Sequence, residues 1–596
     1  MEPGTVCGLL LCLWLSVLCP QARSAEDFAA WLRRIESVQA GRDLRLPLRQ
    51  LVLSAAAEDR VEDALAGLEN YLQRELAGRR SLAGLTTRQL ESYVLAAELS
   101  HLLREYWLGR NPRIPPPRLA EWLLASPERV ETLVNTLTRW DNWAEACRIL
   151  ELLHDHDPVA RDRYFDLILA LAVVWDQPRP PLHGQQGALS FSPDLAARYD
   201  YFKELYGSRR ARLPYGRLSV VALRFVVDTP VPVEELAWAR DQVRGTPSRW
   251  GDKFYEIEYD DDRLRRLAYV WDRSGDYTLR AIRQHGGICV DQAYYAVMTA
   301  RAHGIPAMIF TGVGRRGPHA WIGHMLGEDR WEMDVGRYEY DEYMIGQTVD
   351  PQTNRPMSDH DIALSCSRAF RTRRGDLAYR YLSLARELLR MREYDLALQS
   401  AERAVRIIPI LEPAWEIAEE ALRRSGRERD LLAVLERQAA AFERYPDKLF
   451  EIASRRAEFF ERRGELSAAE RIFADLAPRI GIRRHDLGER VMREQVRLLA
   501  RQQRLAEARK VMEAYITRNR DGGAQLLPVL ADYVQLAGGW GQSAEAASFV
   551  SRLVGRMRGL APDLMASFVG LEIQAAELAG DERAVERARR RWRRLR

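Results

Sequence analysis

Apolar residues recur three and four positions apart through the first part of the chain, as on one face of an amphipathic helix. Residues 61–68 and 143–150 are clear examples, and a proline-rich stretch over 111–117 interrupts the series. We therefore predict a helical domain of stacked helix pairs over residues 26–175. Residues 176–187 are rich in proline, glycine and glutamine, which favours a linker.

The pattern changes after residue 188, where short apolar runs of strand length alternate with helical segments. Residues 218–227 predict a strand, and residues 233–243 predict a short helix. Three further strands are predicted over 307–312, 320–326 and 330–335, with a turn at 327–329 between the last two. This mixture indicates an α+β domain, which we place over residues 188–365.

Beyond residue 375 the chain repeats itself. Asp395, Asp430 and Glu465 each precede a leucine at the start of an alanine-rich segment, and they fall 35 residues apart. Looser copies begin near residues 504, 543 and 583, and the prolines that follow the first three helices are Pro409, Pro446 and Pro478. A period of about 34 to 40 residues is typical of helix–turn–helix repeats. The segment is similar to tetratricopeptide repeats, although the Trp and Leu-Gly positions of that consensus are absent.

Helix pairs of this kind cannot bury their apolar faces singly, so they stack into a superhelix with a concave surface. We predict such an α-solenoid over residues 375–596. Its groove suits a peptide or protein partner, and a plain scaffold is the alternative.

Candidate chemistry is concentrated between residues 286 and 334. Apolar residues from 288 to 303 are spaced as on a buried helix, so Cys289 falls in its first turn. Unpaired N–H groups and the helix dipole favour a thiolate at that position, and we expect a lowered pKa for this thiol. Gly286 and Gly287 are expected to leave the approach to the sulfur open.

A histidine and an aspartate accompany this cysteine. His319 heads the second of the three predicted strands, and Asp334 closes the third. A hairpin that turns at 327–329 would bring positions 319 and 334 near each other across the ladder. The arrangement implied is a thiolate, a base that takes its proton, and a carboxylate that fixes the tautomer of the base.

Four ordered pieces of this segment resemble the transglutaminase-like core, a papain-like cysteine fold. The pieces are Cys289-Val-Asp291, Gly304-Ile-Pro-Ala307, His319-Ala-Trp321 and Trp331-Glu-Met-Asp334. The resemblance covers less than a fifth of the chain. It implies Cys289 as nucleophile, His319 as general base and acid, and Asp334 as the residue that orients the histidine, without a cofactor.

The chain departs from the family pattern directly after the aspartate. Family members usually have Pro and Thr there, whereas this chain has Val335 and Gly336. The oxyanion donor in the family often includes a tryptophan upstream of the cysteine. Trp250 and Trp271 are the candidates for that role.

Other polar residues near the motif have structural interpretations. His324 lies five positions from His319, so on a strand it faces the other way. His303, near the end of the helix, is expected to cap carbonyl groups, with His285 as a residue that could tune the site. Asp291 is expected to stabilise the first turn of the helix.

Residues 1–25 are typical of a secretory signal. An apolar run over 8–18 is too short for a stable membrane anchor, and small residues at 22–25 offer a cleavage site. Because residues 1–8 contain no Lys or Arg, an uncleaved anchor remains the alternative. We predict a secreted or periplasmic protein with no stable membrane span after removal of the signal.

The cysteines of the mature chain are then Cys147, Cys289 and Cys366. This odd and sparse set argues against a disulfide framework. The total of 89 Lys and Arg against 85 Asp and Glu gives a formal charge of +4, which does not favour a nucleic-acid partner. The arginine-rich stretch over 587–596 predicts the solvated face of a final helix, with an anionic envelope surface as the alternative partner.

Two functions follow from these observations. The first is a cysteine enzyme that attacks amide bonds of a protein or peptide, with water or an amine resolving the thioester. The second is a non-catalytic interaction protein that retains a degenerate core. A metal hydrolase is poorly supported, because no His, Cys, Asp or Glu cluster has the sequence spacing of metal ligands.

Overall fold

The computed structural model describes residues 27–37, 42–179, 193–266, 268, 270–271, 276–314, 317–327, 330–337, 346–480 and 485–595. The predicted signal over 1–25 and residues 180–187 of the predicted linker lie outside this range. In the part of the chain that is described, no helix combines the length and the apolar character needed to cross a membrane.

Helices dominate the first part of the chain, as predicted. They are α1 (Phe28–Ser37), α2 (Arg45–Ala57), α3 (Val61–Leu76), α4 (Thr87–Leu102), α5 (Pro117–Leu123) and α6 (Pro127–Thr136). Local sequence explains where several of them begin. Thr86 and Gln89 form a capping box at α4, and Ser126 caps α6 directly before a proline at its first position.

The chain divides into two compact units. One unit contains the described residues up to Arg139 together with Tyr379–Ser400. The other contains Trp140–Ala378 and the described residues from Ala401 onward. The domain boundaries inferred from the sequence stay predictions.

The second unit continues with helices before any strand forms. They are α7 (Trp143–His156), α8 (Phe165–Val174), α9 (Leu195–Gly207), α10 (Val220–Val227), α11 (Val233–Gln242), α12 (Asp252–Tyr255), α13 (Asp261–Arg265) and α14 (Leu279–His285). The short helix predicted over 233–243 is confirmed by α11.

The strand predicted over 218–227 is wrong, because those residues include helix α10. Ser219 caps the helix by accepting a hydrogen bond from the Ala222 N–H at 3.3 Å. Most residues of α10 are buried, and Phe225 belongs to an apolar cluster with sheet residues. A short run that is apolar all round does not distinguish a strand from a buried helix by periodicity alone.

The motif with Cys289 and His319 lies on helix α15 (Cys289–Ala302) and on the sheet that follows it. The strands are β1 (Ala307–Gly314), β2 (Gly317–Gly327), β3 (Arg330–Val335), β4 (Gln347–Val349) and β5 (Pro356–Ser358), in the order β3-β2-β1-β4-β5 with antiparallel pairing. The three predicted strands are therefore confirmed. Helix α15 packs against β2 and β1, which places Cys289 beside the sheet.

The register of β2 and β3 differs from a regular hairpin. Ile322 pairs with Val335, whereas His324 pairs with Glu332, so β3 carries one extra residue between these two pairs. An insertion of this kind is a β-bulge, and it re-aims the side chains of the bulged strand. Asp334 lies inside the bulge, and along the ladder it is several positions away from His319. The prediction that positions 319 and 334 lie near each other across the hairpin is therefore wrong in its register.

The C-terminal region consists of successive helices, and neighbouring helices from residue 412 onward pack against each other. After α16 (Asp359–Ser365), the helices are α17 (Arg373–Arg390), α18 (Tyr394–Ile407), α19 (Glu412–Arg424), α20 (Glu428–Ala441), α21 (Pro446–Arg462), α22 (Leu466–Ile480), α23 (His485–Arg501), α24 (Leu505–Arg518), α25 (Leu526–Gly539), α26 (Ser543–Arg556), α27 (Pro562–Leu578) and α28 (Glu582–Leu595). Each predicted repeat start coincides with the start of the second helix of a pair. One detail is wrong: Pro478 lies inside α22 rather than after it.

The predicted fold class is confirmed: a helical N-terminal region, an α+β core with a small antiparallel sheet, and C-terminal helical repeats.

Candidate active site

Cys289 is the first residue of α15. The preceding Ile288 has extended backbone angles, and its N–H donates to the Asp291 carboxylate at 2.9 Å, which closes the first turn. The backbone N–H groups of Val290 and Ala320 face the sulfur of Cys289. The sulfur therefore lies between the start of α15 and strand β2, next to the residue that follows His319.

Burial raises the pKa of the Cys289 thiol, and the N–H groups of Ala320 and Val290 oppose this effect without outweighing it. The negative charge of Asp291 adds to the rise. The expectation that the helix N-terminus lowers this pKa is wrong for the free thiol, because desolvation disfavours the thiolate more than the N–H groups stabilise it. A nucleophile in this position needs a base to remove its proton.

The two glycines before the cysteine have a packing role. Gly286 has φ +73°, and a Cβ there would meet the Glu258 carbonyl. A Cβ on Gly287 would overlap the Asp291 side chain, and Gly287 forms a parallel bridge with Tyr259. Glycine is therefore required at position 286 by its positive φ and the close backbone of Glu258, and at position 287 by the Asp291 side chain.

His319 is buried on β2, with 7% of its surface exposed. Its ring stacks on Trp321 at 6.2 Å between centroids, and its Nε2 lies 2.7 Å from the carbonyl oxygen of Gly336. Since a carbonyl oxygen only accepts hydrogen bonds, this contact assigns the hydrogen to Nε2 and leaves the lone pair on Nδ1. In its neutral form the imidazole is thus held in the tautomer that carries its hydrogen on Nε2 rather than on Nδ1.

Asp334 has a different environment. Its side chain is 60% exposed, and Oδ1 forms an ion pair with Arg337 at 2.6 Å. The bulge in β3 accounts for this direction, because the extra residue breaks the alternation of the strand. The role of Asp334 as the orienter of His319 stays a prediction.

Known proteins add to this picture. The model of the transglutaminase-like superfamily matches residues 242–333. This segment is a transglutaminase-like domain. It includes Cys289 and His319 and ends directly before Asp334.

Similar solved structures include PilW, a widely conserved type IV pilus biogenesis factor, at 18% identity and a TM-score of 0.18, with 35% of this chain and 90% of that chain covered. They also include a human IFIT1 dimer with PPP-AAAA, at 11% identity and a TM-score of 0.19, with 95% of this chain and 94% of that chain covered. No curated protein matches the chain. At these TM-scores the likeness carries no argument, and the repeat architecture rests on the helices of the chain itself.

A buried polar cluster supports the first turn of α15 in the transglutaminase-like domain. Asp291 is fully buried, forms an ion pair with Arg263 at 2.8 Å and accepts a hydrogen bond from the Tyr277 hydroxyl at 2.9 Å. Burial raises the pKa of Asp291, and Arg263 opposes the rise. The sequence assigned Asp291 to the helix start, but it contained no local signal for Arg263 or Tyr277, which come from preceding segments.

The two tryptophan candidates differ. Trp250 is fully buried and its Nε1 donates to the Ala296 carbonyl at 3.1 Å, so this N–H is already used inside the domain. Trp271 lies against Arg263, and its buried Nε1 has no hydrogen-bond partner in the described residues. The role of either tryptophan as oxyanion donor stays a prediction.

The remaining histidines have structural contacts. Nδ1 of His303 is 2.9 Å from the Thr299 carbonyl, which matches the predicted capping role. Burial lowers the pKa of His303 to about 4. Nε2 of His324 is 3.0 Å from the Pro247 carbonyl. His285 is exposed at the end of α14.

Cys147 and Cys366 are buried and form no disulfide. Within the described ranges, one group has the donor types of a metal site: Asp359, His360 and Asp447, whose donor atoms lie within 4.8 Å of one another. Nδ1 of His360 is 2.7 Å from Oδ2 of Asp447, the geometry of a hydrogen-bonded pair between the starts of α16 and α21. Sequence spacing could not reveal this group, because it joins distant parts of the chain.

Proposed function

We propose that the transglutaminase-like domain is a cysteine enzyme that acts on amide bonds of a protein or peptide substrate through a thioester. The observation that carries this proposal is the contact between the Cys289 sulfur and the backbone N–H of Ala320, the neighbour of His319. It supports a site in which a thiol and a base on adjoining elements act together.

The reaction begins with proton transfer from the Cys289 thiol to Nδ1 of His319. The sulfur attacks the carbonyl carbon of the amide, and the carbonyl electron pair moves to the oxygen. Collapse of this tetrahedral species breaks the C–N bond, and the proton on Nδ1 passes to the leaving amine. An acyl group remains on Cys289 as a thioester.

Backbone N–H groups at the start of α15 support the developing oxyanion in this proposal. The N–H groups of Cys289 and Val290 both face the sulfur, where the attacked carbonyl would lie. Preorganised donors of this kind stabilise the tetrahedral species more than the substrate.

Water or an amine resolves the thioester in the second half of the reaction. The attacking group gives its proton to His319, and His319 returns a proton to the sulfur as the sulfur leaves. Water produces a carboxylic acid, as in a peptidase or amidase, whereas an amine produces a new amide, as in a transglutaminase. Both outcomes use the same residues.

Alkylation of Cys289 tests the proposed pair without a known substrate. We expect iodoacetamide to label Cys289 in the full-length protein at pH 6.5 at least about tenfold faster than in His319→Asn, because the base removes the thiol proton. Peptide mass spectrometry distinguishes Cys289 from Cys147, which is buried in α7 and serves as the internal control. Equal labelling of Cys289 in both proteins would contradict the proposal.

Substrate profiling then separates the two outcomes. A glutamine-containing protein mixed with a fluorescent primary amine reports transamidation as bound label, whereas hydrolysis releases ammonia or new amino termini without label. Cys289→Ala is expected to abolish either signal. Activity that survives in Cys289→Ala would contradict an enzyme of this mechanism.

A non-catalytic scaffold is the second candidate. The raised pKa of the Cys289 thiol and the solvent-facing Asp334 favour it. It predicts that Cys289 reacts as an ordinary thiol with a pKa of about 8.5 or above and that Cys289→Ala leaves partner binding intact.

Location and partner are also proposals. The apolar segment over 8–18 supports a secreted or periplasmic protein. The helices from α19 onward, which pack on one another within the second unit, support a surface that positions a protein or peptide partner. Pull-down with the full-length protein, compared before and after Cys289→Ala, would separate partner binding from catalysis.

A further inference from the structure

The hydrogen bond between His319 and Gly336 is one end of a longer connection. On the other side of the same residue, the Gly336 N–H donates to the Tyr255 hydroxyl at 3.1 Å. Both backbone polar groups of Gly336 are thus engaged, one with the base and one with the last residue of α12. A shift of the Gly336 peptide would therefore move the hydrogen-bond acceptor of His319.

The backbone at Gly336 is in a conformation that suits glycine. Its φ is +87°, and a Cβ there would lie 2.5 Å from the Phe254 ring. Phe254 is buried and packs edge-on against Tyr255 at 5.2 Å between centroids. The turn after β3 is thus pressed against α12, and no larger residue fits between them.

The carboxylate nearest in sequence is engaged elsewhere. Asp334 pairs with Arg337 at 2.6 Å, and the Arg337 guanidinium lies over Trp321 at 5.5 Å from the ring centroid. The charge of Asp334 is therefore balanced by Arg337, whose own side chain is only 9% exposed. The hydrogen of His319 Nε2 points instead to the neutral carbonyl of Gly336.

We infer that the Gly336 carbonyl orients His319 and that Tyr255, which holds Gly336 in place, is a positioning residue for the Cys289–His319 pair. This inference rests on the proposed function.

The chemical consequence concerns the charged form of the pair. A carbonyl dipole stabilises an imidazolium less than a carboxylate does, because hydrogen bonds between ionised partners are the stronger kind. The thiolate–imidazolium pair is then formed only when the substrate is attacked. This agrees with burial that disfavours a free thiolate at Cys289.

The test compares single-atom changes in the full-length protein. Tyr255→Phe removes the hydroxyl that holds Gly336, and we expect the alkylation rate of Cys289 at pH 6.5 to fall about three- to tenfold, the effect of one hydrogen bond. Asp334→Asn is expected to slow the reaction by a smaller factor. The control is Tyr201→Phe, which removes a buried hydroxyl that donates to the Leu236 and Ala302 carbonyls, whereas Tyr255 is 66% exposed.

A pH profile distinguishes positioning from a general loss of structure. For Tyr255→Phe the rate–pH curve of Cys289 should move to higher pH, while the thermal midpoint stays at or above that of Tyr201→Phe, because Tyr255 is the more exposed of the two residues. If the alkylation rate of Tyr255→Phe equals that of Tyr201→Phe, the inference is overturned. If Asp334→Asn also slows alkylation as much as His319→Asn does, Asp334 is the residue that orients His319. If His319→Asn itself changes nothing, the proposed function fails instead.

Discussion

At the scale of single residues, the site depends on a glycine as much as on a cysteine. Gly336 combines a positive φ with close packing against Phe254, and its carbonyl accepts a hydrogen bond from Nε2 of His319. A side chain at this position would introduce both backbone strain and overlap. Gly336, which stands where the family pattern usually has Thr, avoids both penalties.

Substitution of Gly336 tests this directly. Gly336→Ala should lower the free energy of unfolding by about 2 to 4 kcal/mol, because strain of about 1 kcal/mol is joined by overlap with the Phe254 ring. The matched control is Gly426→Ala, where φ is +70° but nothing lies within 4 Å of the added Cβ. Thermal unfolding of the two variants measures the difference, and equal losses of stability would contradict the packing argument.

At the scale of elements, the start of α15 depends on a buried ion pair. Asp291 joins the Ile288 N–H, Arg263 and Tyr277, all inside the domain. Removing one partner of a buried pair leaves the other charge unpaired, which is costly. The position of Cys289 therefore depends on residues from outside its own helix.

Asp291→Ala should destabilise the second unit by about 3 to 5 kcal/mol, since it leaves the Arg263 charge buried. Asp430→Ala is the matched control, because Asp430 pairs with Arg427 at 2.7 Å on an exposed surface and such pairs contribute about 0 to 1 kcal/mol. The thermal midpoints of the two variants measure the two losses of stability. A loss for Asp291→Ala no larger than for Asp430→Ala would show that the cluster does not support the helix.

At the scale of the whole molecule, the pH changes the stability of the first unit, which contains the described residues up to Arg139 together with Tyr379–Ser400. Glu98 on α4 is 2% exposed, and burial together with the charge of Glu131 raises its pKa to about 8. The unfolded chain ionises Glu98 near pH 4.3, about the ordinary value, so between that pH and about 8 the folded form binds one more proton. Its contribution therefore lowers stability as the pH rises through this window.

Replacing Glu98 with its neutral isostere should remove this dependence. Glu98→Gln is expected to raise the free energy of unfolding little at pH 5 and by up to a few kcal/mol at pH 8. The thermal midpoint should rise in the same way. Glu62→Gln on the exposed face of α3 is the control. A midpoint difference that does not grow with pH would mean that Glu98 is ionised in the folded protein.

Much of the molecule was predictable because its signals are local. The repeat starts at Asp395 and Asp430, the strand over 330–335 and the placement of Cys289 in a first helical turn all follow from periodicity and helix-start chemistry. The helix over 220–227 was not predictable in this way. Its apolar run fits either element, and burial beside the sheet decides between them.

The sequence by itself determined the order of the elements, the repeat period and the residue types at 289, 319 and 334, because these are properties of neighbouring positions. Only the tertiary structure decided what contacts His319, since a one-residue bulge in β3 turns Asp334 to solvent and presents the Gly336 carbonyl. It also decided the pKa direction of Cys289, because desolvation depends on everything packed around the sulfur.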